Sequence, residues 1–313
     1  MVNAIEMDAL TKQYGALRAV DGLNLMVPQG TVFGLLGPNG AGKTTTMSML
    51  LGNVRPTSGR ATLLGKPIGN VPIRSRIGYL PEKFLFHAFL TATEFLRLQG
   101  RLSGMPRSAV EARIPVVLER VGLLDRASTK VGDFSRGMHQ RIGLAQAILH
   151  EPALLILDEP TSALDPAGRR DIRQLIDSLR EQGTTVLLNS HILSEIEATC
   201  DRVAILKQGK IVAEGATHEL TLFASTVEVE VDTMNDAALQ AVRKIAQKLR
   251  LERVPITHFT ATLQSESDIP ALSAALVDNG VQLRAFTPKR ETLEEAYLRI
   301  LRLNLDSSDQ RIN

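Results

Sequence analysis

The sequence predicts an α/β protein with a parallel central sheet, followed by a smaller α+β domain. Three observations lead to this prediction. Apolar strands alternate with amphipathic helices, as at residues 153–160 and 168–183, and this alternation is typical of parallel sheets. A glycine-rich turn at residues 37–45 joins a strand to a helix. Beyond residue 222 the order of elements becomes β-α-β-β-α-β, which indicates a ferredoxin-like unit.

The elements of the first domain follow from hydrophobic patterning. Strands are predicted at residues 3–10, 23–27, 31–36, 153–160 and 184–191. Helices are predicted at residues 44–52, within residues 91–122 and at residues 168–183. In the segment 91–122, Pro106 marks a helix start. We expect Pro115 to kink or break that helix, because proline removes a backbone donor.

The second domain is predicted from a new run of short elements. The boundaries are placed at residues 1–222, 223–303 and 304–313. Strands are predicted at residues 226–232, 253–257, 259–264 and 281–287, and helices at residues 235–250, 268–280 and 290–301. These elements make a fold but display no catalytic constellation, so we expect an accessory domain that holds protomers together or regulates them. The polar residues 304–313 are expected to form a disordered tail.

Composition excludes several classes of protein. A length of 313 residues suits two domains, and 36 basic against 34 acidic residues give no global electrostatic case for nucleic acid. The single cysteine, Cys200, excludes an internal disulfide, and we interpret it as a small buried residue in a reducing compartment. Six dispersed histidines offer no metal-ligand spacing. We see no signal peptide and no apolar run near the roughly 20 residues of a membrane span, so contact with a membrane would need a partner.

A phosphate-binding loop is predicted at residues 37–45, GPNGAGKTT, which match the pattern Gly37-x4-Gly42-Lys43-Thr44. Glycines let backbone N–H groups turn inward around phosphate oxygens. The lysine reaches the β- and γ-phosphates, and the threonine hydroxyl binds Mg²⁺. The alternative is a chance glycine-rich turn, but the strand before the loop and the helix after it favour a P-loop.

A carboxylate pair ends the buried strand at residues 153–160. Asp158 stands at the carboxyl edge of the sheet, where it can meet a metal ion, and Glu159 follows at once. An Asp-Glu pair at a strand end is usually a solvated turn. Here the apolar run places the pair beside the P-loop strand, so we interpret Glu159 as the base that activates water.

A second anion site is predicted at residues 134–141, FSRGMHQR. Ser135 stands at the start of a predicted helix, where free N–H groups and a cap serine favour an anion. Taken alone, the segment is more simply a capped surface helix. The P-loop, this segment and the Asp158-Glu159 pair, in this order, closely resemble the ATP-binding subunits of ABC transporters over about residues 3–220.

The resemblance implies a P-loop ATPase whose ABC cassette combines a mixed sheet core with a helical subdomain. In that family two cassettes face each other head to tail, and each ATP lies between the P-loop of one and the signature helix of the other. Residues 134–138 stand at the family's Leu-Ser-Gly-Gly-Gln signature. Ser135 and Gly137 are therefore expected to touch the γ-phosphate held by the partner, whereas Arg136 and Met138 depart from the family pattern.

Four further positions carry over from the family's motifs. Tyr14 fits the aromatic residue that stacks on adenine, and Asp165 fits the loop that crosses the dimer interface. His191 fits the switch histidine that hydrogen-bonds the γ-phosphate, although a lone histidine at a strand end is more often structural. Glu82 stands where most members have glutamine. Its carboxylate keeps an acceptor oxygen but adds charge near the metal, so we expect it to alter the rate of hydrolysis.

Motif and resemblance together imply ATP and Mg²⁺ as the bound groups. The residues expected to bind ATP are Tyr14, Gly37, Pro38, Asn39, Gly40, Ala41, Gly42, Lys43, Thr44, Thr45, Glu82, Ser135, Gly137 and Asp165. The residues expected to be catalytic are Glu159, His191 and Lys43. The expected Mg²⁺ ligands are Thr44, Asp158 and Glu82.

The segments GYLPE and SRGMHQR and the tail TLEEAYLRIL look most like the ATPases of ABC-2-type exporters with separately encoded permeases. The resemblance thus implies an integral membrane permease and a second cassette, either a copy or a paralogue, as partners, and no nucleic acid. It places the chain at the cytoplasmic side of the cell membrane. Two alternatives stay open: a soluble ABC-type ATPase acting on nucleic acid or ribosomes, and an inactive nucleotide-binding scaffold. A single uninterrupted cassette argues against the first, and a complete catalytic set argues against the second.

Overall fold

The computed structural model describes residues 2–221, 226–252, 256–289 and 291–309. The chain forms two compact units, one comprising Met1–Thr217 with Ile300–Asn313 and the other His218–Arg299. The boundary predicted at residue 222 lies outside the described residues.

The first unit contains two sheets whose strands are set by alternating or continuous apolar residues. The strands are β1 (Asn3–Tyr14), β2 (Leu17–Pro28), β3 (Val32–Leu36), β4 (Ser58–Leu63), β5 (Lys66–Pro67), β6 (Ile77–Leu80), β7 (Leu154–Asp158), β8 (Thr185–Asn189), β9 (Arg202–Lys207) and β10 (Lys210–Ala216). The helices are α1 (Lys43–Leu50), α2 (Ala92–Leu102), α3 (Arg107–Arg120), α4 (Arg136–Ile148), α5 (Pro166–Glu181) and α6 (Leu193–Thr199), with α7 (Thr217–Leu220) at its end.

The central sheet has the strand order β10-β9-β3-β8-β7-β6, and every neighbouring pair is parallel except β10 with β9. Strands β3, β7 and β8 are buried along their whole length, as expected for a parallel sheet covered on both faces. An antiparallel sheet of order β2-β1-β4-β5 shares a hydrophobic core with it and with α1. The mixed sheet core is therefore present as predicted.

Three helices lie between β6 and β7 and form the helical part of this unit. Helix α2 starts with a capping box in which Thr91 and Glu94 bond each other's backbone N–H. Pro106 caps α3, as expected. Of the two outcomes predicted for Pro115, a kink or a break, the break was wrong, because α3 continues through it to Arg120. Both Pro115 and Glu111, whose carbonyl loses its helical donor, are exposed, so water can satisfy that carbonyl.

The second unit follows the predicted order of elements. It contains β11 (Thr226–Val231), α8 (Asp236–Ile245), β12 (Lys248–Leu251), β13 (His258–Thr262), α9 (Ile269–Val277), β14 (Leu283–Lys289) and the start of α10 (Leu293–Asp309). The sheet order is β12-β13-β11-β14 with every pair antiparallel. Each of the two helices thus connects strands that are not neighbours, which is the split β-α-β arrangement of ferredoxin-like folds.

Two predicted elements of this region were misplaced. The strand predicted at residues 253–257 lies partly outside the described residues, and Ile256 and Thr257 are in no strand. The paired strand is instead β12, which overlaps the end of the predicted helix 235–250. Helix α8 ends at Ile245 because Ala246 is extended, and the alternation of basic residues with leucines then places Leu249 against the core.

The expected disorder of residues 304–313 was wrong for the part that the structure describes. Helix α10 continues to Asp309, and no glycine or proline follows Thr292 in the sequence to end it. The last four positions of that predicted tail lie outside the described residues.

Candidate functional site

The glycine-rich loop lies between β3 and α1, as its pattern predicts. Gly37 has a φ of 150°, and a Cβ there would come 2.3 Å from the carbonyl oxygen of Leu206. Gly42, just before α1, has a φ of 105°, and a Cβ there would come 2.5 Å from the carbonyl oxygen of Ala19. Only glycine fits either position, so the loop can turn its backbone N–H groups inward.

A cleft of about 510 Å³ opens over this loop. Its lining consists of Tyr14, Leu17, Arg18, Ala19, Asn39, Gly40, Ala41, Gly42, Lys43, Thr44, Thr45 and Gln208. Most of the residues predicted to bind ATP from within one chain thus meet in one place. Tyr14 is 47% exposed, with the Lys12 Nζ atom 4.9 Å from its ring centre. Leu17, Arg18 and Gln208 were not predicted, since no motif marks them.

The ammonium group of Lys43 bonds backbone oxygens of its own loop. Its Nζ donates to the carbonyl oxygen of Gly37 at 2.6 Å and to that of Pro38 at 3.2 Å. Burial lowers the pKa of Lys43, and the charges of Glu159 and Asp158 oppose this effect. A cation held beside backbone oxygens in a half-buried loop is suited to contact phosphate oxygens.

Asp158 ends β7 and is 3% exposed. The Asn189 Nδ2 donates to its Oδ1 at 2.6 Å. Burial raises the pKa of Asp158, the bond from Asn189 opposes that effect, and the negative charge of Glu82 adds to it. Glu82 itself is exposed, and its place at the metal site stays a prediction.

These donors fit Mg²⁺ in the way it usually binds. Among the described residues no group of three or more histidine, cysteine or acidic side chains could hold a metal ion. Mg²⁺ is commonly held by one or two protein oxygens and by substrate phosphates, and Asp158 with the exposed Thr44 hydroxyl offers that set. The raised pKa of Asp158 reflects a buried charge with too little compensation, which a cation would supply.

Glu159 and His191 lie just past the carboxyl ends of strands β7 and β8 and contact each other. The Nδ1 of His191 lies 2.8 Å from the Oε2 of Glu159, whose side chain is 12% exposed. Burial raises the pKa of Glu159, and His191 opposes this effect. Glu159 also has a φ of 55°, a left-handed conformation that is unfavourable for a side chain with a Cβ and concentrates at functional sites.

The signature residues lie elsewhere on the surface. Ser135 is exposed and caps α4, and its Oγ accepts from the Met138 N–H at 3.3 Å. Asp165 is exposed and caps α5, and its Oδ1 accepts from the Gly168 N–H at 2.8 Å. Neither of them lines the loop cleft, nor does Gly137. The predicted ATP residues therefore do not all line one cleft.

Sequence reasoning missed two buried polar residues that contact the carboxylate pair. Asn189 bonds Asp158, and Gln140 in α4 donates from Nε2 to the main-chain oxygen of Glu159 at 3.1 Å. Gln140 is 7% exposed. The sequence did offer a signal for Gln140, since it directly precedes the apolar positions of its helix. A glutamine in such a position is rarely buried without a hydrogen-bond partner. In the described part of the chain, no helix has the length and apolar character to cross a membrane.

The chain is similar to known proteins over most of its length. A family model described as "ABC transporter" matches residues 20–162. The chain is 38% identical to the bacitracin transport ATP-binding protein BcrA of Bacillus licheniformis, with 96% of this chain and 98% of the relative covered. It is 35% identical to the Nod factor export ATP-binding protein I of Cupriavidus pinatubonensis, with 95% and 90% covered.

A solved structure adds a likeness in three dimensions. It is a dimeric ATP-binding cassette in a post-hydrolysis state, bound to ADP and phosphate. The likeness has a TM-score of 0.63 at 26% identity, and covers 68% of this chain and 98% of the other.

Proposed function

This chain belongs to the ABC transporter family as an ATP-binding subunit with ATPase activity, and on that premise we propose that two cassettes close around two ATP molecules to drive an exporter. The closed form places each ATP between the P-loop of one chain and α4 of the other. The second cassette is another copy of this chain or a paralogue.

The absence of the signature residues from the lining of the loop cleft carries this proposal. Lys43 and Tyr14 line the loop cleft, whereas Ser135, Gly137 and Asp165 are outside it. Ser135 is exposed at the N-terminus of α4, where backbone N–H groups favour an anion. An ATP in the cleft of one chain gives the α4 N-terminus of a second chain an anion to bind, so nucleotide favours the closed dimer.

Side chains at the carboxyl ends of the central strands, together with the P-loop lysine, supply the groups for hydrolysis. Glu159, whose pKa is raised by burial, orients a water in line with the γ-phosphate and takes its proton. Lys43 and His191 stabilise the negative charge that develops on the phosphate oxygens. Thr44 and Asp158, with Glu82 as a further predicted ligand, would hold Mg²⁺, which would add positive charge at the phosphates.

An exposed apolar segment supports a membrane permease as partner. Residues 82–105 follow β6, and in this segment Leu85, Phe89 and Leu102 are 91%, 71% and 72% exposed. A partner that covers this segment would remove these three large apolar side chains from water, which is favourable. This segment passes the closing of the cassettes to the permease at the cytoplasmic side of the membrane. The relatives named for bacitracin transport and Nod factor export favour export.

The test of the dimer uses Glu159→Gln, which retains ATP binding but removes the base. We expect its mass in size-exclusion chromatography with light scattering to double when ATP and Mg²⁺ are added, while the wild type hydrolyses ATP. Lys43→Ala is the control and is expected to stay monomeric. A Glu159→Gln chain that binds ATP and stays monomeric would overturn the homodimer and indicate a different partner cassette.

A further inference from the structure

Gln140 is a buried polar residue that the catalytic scheme above does not use. It lies in α4, and its Nε2 donates to the main-chain oxygen of Glu159 at 3.1 Å. A glutamine that is 7% exposed is retained in an otherwise apolar position only at a cost in desolvation, unless its hydrogen bond is needed. Its position relative to the predicted base is therefore informative.

The main chain of Glu159 is held from three directions. Its N–H donates to the carbonyl oxygen of Asn189 at 2.8 Å. Its carbonyl oxygen accepts from Gln140 and from the Ser162 Oγ, the latter at 3.1 Å. Because the φ of 55° is unfavourable for glutamate, these bonds keep the residue in that conformation and so aim its carboxylate at His191.

Helix α4 connects this hydrogen bond to the signature residues. Ser135 caps the helix, and Gln140 follows within its first two turns. A rise of about 1.5 Å per residue separates Ser135 from Gln140 by roughly 8 Å along the axis. A displacement of the helix N-terminus is thus carried directly to the Glu159 carbonyl.

We infer that Gln140 is a positioning residue that couples nucleotide bound by the partner cassette to the Glu159 of its own chain. The inference rests on the proposed dimer, in which Ser135 and Gly137 contact the partner's ATP. When that ATP binds at the N-terminus of α4, Gln140 holds Glu159 in the conformation that can orient and deprotonate the water that attacks the chain's own ATP. Each site therefore fires only when the other is occupied, which appears as positive cooperativity in ATP.

The test replaces Gln140 with methionine, which has a similar volume and no N–H donor. We expect Gln140→Met to lower kcat on the order of tenfold, since a small misplacement of a catalytic group costs this much or more. The Hill coefficient for ATP is expected to fall below the wild-type value, and the acid limb of the rate against pH to move, because the contact between Glu159 and His191 changes. ATP affinity, measured in the Glu159→Gln background, is expected to remain the same.

Two further variants make the outcome decisive. Gln146→Met is the matched control on the same helix, since among the described residues its Oε1 is buried without a hydrogen-bond partner, and we expect wild-type kinetics. Ser162→Ala removes the other side-chain donor to the Glu159 carbonyl from an exposed position. It tests the same carbonyl if Gln140→Met does not fold, and we expect a smaller loss of kcat in the same direction.

The result can be separated from the proposed function. If Glu159→Gln dimerises with ATP while Gln140→Met and Ser162→Ala keep the wild-type kcat, Hill coefficient and pH profile, the coupling role is overturned and the dimer stands. If Glu159→Gln never dimerises, the proposed homodimer is overturned, and the coupling role that rests on it is overturned with it. A loss of ATP affinity equal to the loss of kcat would also overturn the inference, because Gln140 would then act on binding.

Discussion

Glu159 is the residue at which folding and function make opposite demands. Its side chain is 12% exposed and its backbone is left-handed. Burying a carboxylate and placing a glutamate in the left-handed region each cost free energy on folding. Asn189, Gln140 and Ser162 bond its peptide group on both sides. Conflicts of this kind are expected where a residue is kept for its chemistry.

The pH dependence of hydrolysis is predicted from the pKa of Glu159. Burial raises that pKa, and a base must be ionised to act. The rate is therefore expected to fall on acidification at a higher pH than for an ordinary glutamate. His191 opposes the effect of burial, so His191→Ala should move this acid limb to still higher pH. The measurement is kcat against pH at saturating ATP and Mg²⁺.

Two controls belong to this experiment. His258→Ala changes a histidine in β13 of the other unit, and its acid limb should coincide with that of the wild type. Glu159→Gln should leave no rate whose pH dependence could be measured. An acid limb that stays in place or moves to lower pH in His191→Ala would contradict the assignment of the base.

At the scale of the elements, helix α3 contains an internal proline, Pro115. We interpret this proline as one that lowers the stability of the helix. Pro115 is exposed, and its ring leaves the Glu111 carbonyl without a helical donor. Pro115→Ala restores that bond, while the gain in unfolded-state entropy opposes it. We expect stability to rise by roughly 2 kcal/mol, measured by urea unfolding.

Val116→Ala is the neighbouring control for that variant. Val116 is 38% exposed in the same helix, and its truncation should change stability by less than about 0.5 kcal/mol. A Pro115→Ala chain that is less stable than the wild type would show that the proline ring itself packs or orients α3.

The elements also show which parts of the fold can be predicted from the sequence alone. Strongly patterned segments, such as the strand that ends at Asp158 and the loop before Lys43, were predicted because burial and phosphate binding each leave a local pattern. Strand β12 was missed because four residues that alternate Lys and Arg with Leu also fit the end of a helix, and only pairing with β13 decides between them. The contact of Gln140 with Glu159 joins distant elements, which periodicity cannot reveal.

The whole molecule consists of two units that each have a hydrophobic core. Residues including Leu10, Phe33 and Met47 form the core of the first unit, and residues including Val229, Phe259 and Leu272 form that of the second. We propose that the second unit holds protomers together or regulates them, since the predicted ATP residues are all in the first. Because the predicted ATP residues lie in the first unit, we expect nucleotide to stabilise that unit and leave the other unchanged.

Calorimetry of the full chain tests this division. We expect two unfolding transitions, and ADP with Mg²⁺ at 100 times its Kd should stabilise only the first unit, by about 2.7 kcal/mol, because the ligand binds only its folded form. Lys43→Ala should abolish the shift, and Phe259→Leu, a change in the core of the second unit, should lower the other transition alone. Should ADP raise both transitions together, the two units would be energetically coupled, and the second unit would then have a direct route to regulate the nucleotide site.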